Sequence, residues 1–193
     1  SSGADSTDNV AYYEYLAVTN RHVVVTSSNR ITKNLLVYLG NDNKLISASV
    51  LDYSTKDDLA LISFKSEIYI PAASFADTTN LKRGSFVVAI GTPYDIVFDG
   101  SATFGIISYP LRYVEEEVFV LGGSSNETCE VAYIQHDAAI NSGNSGGGLF
   151  NMEGKLLGIN TMKIISSSSN VIEGMGFSIP IHVVKEVFKE YLK

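Results

Sequence analysis

Short runs in which apolar and polar positions alternate recur along this chain, and turn residues separate them. Ile46, Ala48 and Val50 alternate with Ser47 and Ser49, the two-residue period of a half-buried strand, and Gly40-Asn41-Asp42-Asn43 just upstream reads as a hairpin turn. Further strands are predicted at Phe86–Ile90, Thr103–Ser108, Glu117–Leu121, Val131–Gln135 and Leu156–Asn160, with hairpin turns at Asp99-Gly100 and Asn151-Met152-Glu153-Gly154. A helical period is clear only at the end, where Val184, Val187, Phe188, Tyr191 and Leu192 fall on one face and Pro180 stands near the first turn. The pattern predicts an all-β fold closed by one carboxy-terminal helix.

The polar, turn-prone stretch from Ala73 to Lys82 has the composition of a linker and divides the strands into two sets of comparable size. The expected organisation is therefore an amino-terminal lobe over 1–72, a linker over 73–82, a carboxy-terminal lobe over 83–179 and a closing helix over 180–193. Two β-barrels with a cleft between them would let catalytic groups come from both sides. Ser166 to Asn170 reads as a surface loop.

Composition narrows the function classes. A chain of 193 residues, 45% of them hydrophobic, can bury a substantial core and is expected to be soluble. No apolar run approaches the roughly 18 residues of a membrane span, and no basic segment followed by an apolar stretch opens the chain as a signal peptide would. Any export signal or anchor is expected to lie outside it. A net charge of −7 argues against nucleic acid as a partner, because such binding rests on clustered Lys and Arg. The single cysteine, Cys129, can form neither an internal disulfide nor a thiolate zinc cluster, so no metal or other cofactor is expected.

The strongest local chemical signal is Gly143-Asn144-Ser145-Gly146-Gly147. A serine hydroxyl is a poor nucleophile until a base takes its proton, and a tetrahedral intermediate needs donors aimed at its oxyanion. Flanking glycines suit both needs: they permit a tight turn that exposes Oγ and leave backbone N–H groups free to converge. The same residues also fit the nucleophile elbow of α/β-hydrolases, but those enzymes place the acid and the histidine after the serine. Here only His182 follows, and the strands lack interleaved helices. Upstream, Tyr15 to Val25 reads as an apolar strand with His22 at its exit, where an imidazole can exchange protons near neutral pH. Asp58 stands immediately before the apolar run Leu59-Ala60-Leu61-Ile62, placed to be buried and to accept from Nδ1–H of an imidazole.

Taken together, Thr19-Asn20-Arg21-His22-Val23-Val24, then Asp58-Leu59-Ala60-Leu61, then Asp137-Ala138-Ala139-Ile140-Asn141-Ser142-Gly143-Asn144-Ser145-Gly146-Gly147 resemble the Deg/HtrA family of trypsin-like serine proteases, in the family order His, Asp, Ser. Phe86 to Pro93, Gly158 to Thr161 and Gly174 to Pro180 extend the resemblance over roughly residues 15 to 185. It implies two six-stranded-type antiparallel β-barrels with a carboxy-terminal α-helix. It also implies a triad of His22, Asp58 and Ser145 and an oxyanion hole from the N–H groups of Gly143 and Ser145. The primary pocket would be lined by Ala139 and Ile140 and, on the following strand, by Thr161, Met162, Lys163 and Ile164. With no carboxylate at its base, that pocket should favour small to medium aliphatic side chains.

The implied activity is hydrolysis of peptide bonds, in unfolded or misfolded proteins, through an acyl-enzyme. The alternative is a catalytically weak chaperone-like or peptide-binding module on the same fold. Expected partners are polypeptide substrates; a homo-oligomer, and a PDZ domain or membrane anchor outside this chain, accord with the family, as does a place outside the cytoplasm at the cell envelope or surface. Three features depart from or qualify the pattern. Arg112 to Thr128 is long and acidic, with Glu115, Glu116 and Glu117 in a row, and reads as solvated surface, a regulatory loop being the alternative. The chain begins close to the histidine strand, which puts the first strand of the amino-terminal barrel in doubt. Asn144 stands where digestive relatives carry an aspartate. Of the remaining candidates, His136 is expected in the strand before the serine loop, His182 on the helix surface, Asp57 in an exposed turn, and Asp137 in support of the serine loop.

Overall fold

The structure, a computed structural model, describes residues 12–40, 44–119, 126–161 and 174–192. The turn tip at 41–43, the end of the strand expected at Glu117–Leu121, pocket residues Met162, Lys163 and Ile164, and the loop at Ser166–Asn170 lie wholly or partly outside the described residues.

The amino-terminal half folds as four antiparallel strands: β1 (Tyr13–Asn20), β2 (Leu35–Leu39), β3 (Lys44–Ser54) and β4 (Leu59–Ser66), in the spatial order β1-β4-β3-β2. In β3 the alternation read from Ile46, Ala48 and Val50 is borne out: these side chains are half-buried and their neighbours exposed. β4 differs, being buried on nearly every residue because it is central in its sheet and covered on both faces. Successive side chains of a strand point to opposite faces. Ala60 and Ile62 therefore pack with Val24 in the core of this lobe. Leu59 and Leu61 enter a second cluster with Val131, Tyr133, Ile159, Phe177 and Ile179 of the other lobe. One strand thus joins the lobes through a shared apolar core.

The carboxy-terminal half is a closed six-stranded barrel. Its strands are β5 (Phe86–Gly91), β6 (Ser101–Phe119), β7 (Asn126–His136), β8 (Gly148–Asn151), β9 (Leu156–Thr161) and β10 (Gly176–Pro180), arranged β10-β7-β6-β5-β8-β9 and closed by pairing of β10 with β9. Val87, Ala89, Ile107, Ile134, Leu149 and Leu157 fill it. A short helix, α1 (Ile181–Val187), follows β10; Ile181, Val184 and Phe188 seal the shared cluster.

The all-β class and the terminal helix agree with the sequence pattern; three details differ. Six-strand closure is found in the carboxy-terminal half alone, whereas the described amino-terminal strands form a four-stranded sheet. The strands expected at Thr103–Ser108 and Glu117–Leu121 belong to one strand, β6, which pairs with β7 far out along a hairpin. Pro110 lies within β6, and register shifts at Ile107/Tyr109 and Tyr109/Arg112 accommodate it without ending the strand. The acidic run is thus part of a strand, with Glu115 and Glu117 exposed and Glu116 accepting from Tyr133 Oη at 2.5 Å. Finally, α1 spans only part of 180–193. The 73–82 stretch is without regular strands but not a free tether: Ala76 N–H donates to Leu156 O at 2.9 Å, and Leu156 N–H to Ser74 O at 2.8 Å.

Candidate active site

β1 ends at the fully buried Asn20, and a single 3-10 turn, Arg21–Val23, carries His22 out of the sheet. Two donors fix that turn to the start of β4: Arg21 N–H and Asn20 Nδ2 reach the carbonyl oxygen of Asp58 at 3.0 Å and 3.1 Å. The Arg21 guanidinium lies over the Tyr53 ring and donates to Asn29 Oδ1 at 2.8 Å, bracing the loop that follows.

Asp58 adopts a φ of 53°. A left-handed conformation costs a non-glycine residue about 1–3 kcal/mol, and it persists where surrounding contacts over-determine it. Here it turns the carboxylate back onto His22: Oδ2 accepts from Nδ1 at 2.6 Å, and Oδ1 accepts from the His22 backbone N–H at 3.0 Å. The Asp58 side chain is 7% exposed and that of His22 42%, so the carboxylate is a dry anchor for a ring that reaches solvent. With Nδ1–H committed to Asp58, Nε2 carries the lone pair that can accept a proton.

The loop between β7 and β8 carries Ser145. It turns twice: Asn144 N–H donates to Asn141 O at 2.9 Å and Gly147 N–H to Asn144 O at 3.0 Å. Gly143 has a φ of 98°, and a methyl group there would collide with the carbonyl of Thr92, so backbone geometry and space both demand glycine. Gly146, with a φ of 86°, packs against the end of β1; a methyl group there would collide with Thr19 Oγ1 and stand 3.3 Å from Asn20 N. That contact sets the residue after Ser145 against the strand that delivers His22, across the junction of the two lobes. Ser145 itself is half-buried.

The other sequence candidates fall as follows. Ala139 is exposed, its carbonyl accepting from Thr103 Oγ1 at 2.9 Å; Ile140 is half-buried against the barrel core; Thr161 is fully buried on β9. Asp137 Oδ1 accepts from Ile106 N–H at 2.6 Å, which fastens the start of the serine segment to β6. Asp57 is half-buried in the turn before β4 and bonded to Ser54 Oγ at 2.7 Å; His182 is exposed on α1. His136 is fully buried in β7, with Nε2 on Ser178 Oγ at 3.0 Å. Burial pushes its imidazole down from 6.5 to about 4, against smaller opposing effects of Ala138 and Asp137. Burial first, and then Glu116, push the Tyr133 phenol up.

Sequence reading singled out neither Asn20 nor Asn160 as site residues. Both are completely buried polar side chains at strand ends, and both hold segments of the site. The available signal was an asparagine inside an otherwise apolar strand, in Val18-Thr19-Asn20 and in Gly158-Ile159-Asn160.

Comparison with known proteins identifies the family. The family model described as a trypsin-like peptidase domain matches residues 6–159. The chain is 36% identical over 177 residues to a serine protease Do-like HtrA of Lactobacillus helveticus, covering 91% of this chain and 39% of that protein. It is 37% identical over 175 residues to the serine protease Do-like HtrA of Bacillus subtilis (strain 168), covering 91% and 36%. It is 38% identical over 177 residues to a probable periplasmic serine endoprotease, DegP-like, of Buchnera aphidicola subsp. Schizaphis graminum, covering 92% and 33%. The chain thus spans 33–39% of the length of these three relatives.

Proposed function

The chain belongs to the trypsin-like peptidase family, and on that premise we propose that it is a serine endopeptidase whose triad is His22, Asp58 and Ser145. The observation that carries this reading is the pair of bonds from one buried carboxylate to His22, which directly follows the strand end packed against the glycine after Ser145. In the reaction, Ser145 Oγ adds to the carbonyl carbon of the scissile peptide while its proton passes to His22 Nε2. Asp58 keeps the ring in the Nδ1–H tautomer and stabilises the imidazolium that forms. The N–H groups of Gly143 and Ser145 take the oxyanion. Collapse of the tetrahedral intermediate breaks the C–N bond as the imidazolium protonates the leaving amine. A water, deprotonated by the same ring, then releases the acyl group from Ser145.

The substrates are polypeptides, unfolded or misfolded chains by the family resemblance. By the same resemblance the residue before the cut is taken by a pocket to which Ala139, Ile140 and Thr161 contribute, its further residues Met162, Lys163 and Ile164 lying outside the described residues; small to medium aliphatic side chains are the expected occupants. The periplasmic relative supports a place outside the cytoplasm, and the greater length of all three relatives accords with a longer intact protein that also holds a PDZ domain or an anchor.

The decisive experiment incubates the protein with unfolded casein and with a serine-directed phosphonate. Cleavage together with one covalent adduct on Ser145 is expected, with Val, Ala, Ile or Leu dominating before the cut sites in mass spectra of the fragments. Tight casein binding with neither cleavage nor adduct would establish the binding module instead, and a majority of Arg and Lys or of Asp and Glu before the cuts would overturn the aliphatic pocket.

A further inference from the structure

Ser145 is followed by three glycines, Gly146, Gly147 and Gly148, which offer no side chain by which the loop could fasten itself. One residue from another strand holds all three. Asn160, in β9, accepts from Gly146 N–H at 3.0 Å through its carbonyl oxygen and donates its own N–H to Gly147 O at 2.8 Å. Its side-chain Nδ2 donates to Gly148 O at 3.1 Å and reaches Ile90 O of β5 at 3.5 Å.

The orientation of that amide follows from what surrounds it. The oxygens of Gly148 and Ile90 can only accept, so the NH2 side of Asn160 must face them and Oδ1 must face the other way, toward Ser178 Oγ at 2.8 Å. Oδ1 is an acceptor, so the Ser178 hydroxyl donates to it. The Ser178 oxygen then has only lone pairs left for His136 Nε2, 3.0 Å away, so the neutral imidazole donates there, and its Nδ1, buried with no hydrogen-bond partner among the described residues, carries the lone pair. All three residues are fully buried, so bulk solvent reaches no member of the chain.

We infer that His136, Ser178 and Asn160 are positioning residues for the nucleophile: an ordered chain of donors, His136 to Ser178 to Asn160, fixes one orientation of the Asn160 amide, which in turn holds the glycine run and keeps Ser145 in place for attack. Were Ser178 to give its proton to the imidazole instead, Asn160 Oδ1 would lose its donor and the amide its reason to face one way. The chain touches neither substrate nor reacting atoms; it acts through the backbone of Gly146 to Gly148. Its catalytic part rests on the proposal that Ser145 is the nucleophile.

The test compares the parent with Ser178→Ala, which leaves both His136 Nε2–H and Asn160 Oδ1 unpaired, and with Ser178→Cys, which keeps the side-chain connectivity in a slightly larger group that donates weakly. Each variant is checked for a cooperative melt and then measured for the rate of inactivation by the phosphonate, for kcat and KM on one peptide, and for amide exchange at Gly146. The expected result is inactivation and kcat slowed about tenfold or more, with KM little changed, and faster exchange at Gly146. A folded variant of either kind with parent-like inactivation and parent-like exchange at Gly146 overturns the inference. A parent that takes up no phosphonate would end the nucleophile reading, and the Gly146 exchange rates would then decide by themselves whether the chain orders the loop.

Discussion

Asp58 holds His22 by two bonds from one carboxylate, Oδ2 to the ring Nδ1 at 2.6 Å and Oδ1 to the backbone N–H at 3.0 Å. The second bond matters as much as the first, because it settles which oxygen is available to the ring. In Asp58→Asn the side-chain oxygen would stay on the backbone N–H, and the NH2 group would face Nδ1. The ring would then move its proton to Nε2, the wrong nitrogen for a base. We expect kcat to fall about ten-thousandfold with KM and melting temperature nearly unchanged. Steady-state kinetics on one peptide substrate checks this; a loss below tenfold would remove Asp58 from the triad.

Ser145→Ala deletes the oxygen proposed to attack and leaves the loop backbone, with its glycines and its contact to Thr19, in place. The protein should fold as before, and turnover should drop by about six orders of magnitude. Purified variant that still cleaved casein at a tenth of the parent rate would end the assignment.

Gly143 couples a φ of 98° to close packing against the Thr92 carbonyl. Gly143→Ala must shift the loop, and with it the two N–H groups assigned to the oxyanion. Loss of one such donor typically costs about a hundredfold to a thousandfold in kcat, and that loss should appear with KM changed far less. An alanine variant of parent-like kcat would show that this N–H does not meet the oxyanion.

His136 gives the folded state an acid limb of its own. Unfolded chain takes a proton on this imidazole below about 6.5, folded chain only below about 4, so between those values the unfolded state binds more protons. Stability is therefore full above that window and declines as pH falls through it, by about 3 kcal/mol in all. Urea unfolding of the parent and of His136→Gln, from about pH 7.5 down to about pH 4.5, should show the parent losing its advantage. Parallel curves for the two proteins would place the acid sensitivity elsewhere.

Asn144 is 3% exposed, and its Oδ1 has no hydrogen-bond partner among the described residues. An amide there carries no charge to pair with a newly cut amino terminus, so activation should not depend on one. Extending or blocking the amino terminus is expected to leave kcat/KM unchanged, and strict dependence of activity on a fresh terminus would refute this. Asn144→Asp would bury an unpaired carboxylate and should lower stability by several kcal/mol.

Much of the proposed chemistry was legible in the chain itself, because it is written locally. A glycine-flanked serine, a histidine at the exit of an apolar strand and an aspartate at the entrance of another are read from neighbours a few positions away, and so is the two-residue period of β3. Their order along the chain was enough to set aside the α/β-hydrolase alternative. Tertiary structure decided what depends on register and on contacts between distant segments. That β4 faces two cores at once, that Gly146 rests on Thr19, and that β6 runs on through Pro110 with shifted register all follow from strand pairing, which burial and packing select and local propensity does not encode. The same holds for His136 and Asn160. In the sequence they are a lone histidine and an asparagine in separate strands, and only the closing of the barrel by β10, with Ser178 between them, makes them one hydrogen-bonded chain behind the serine loop.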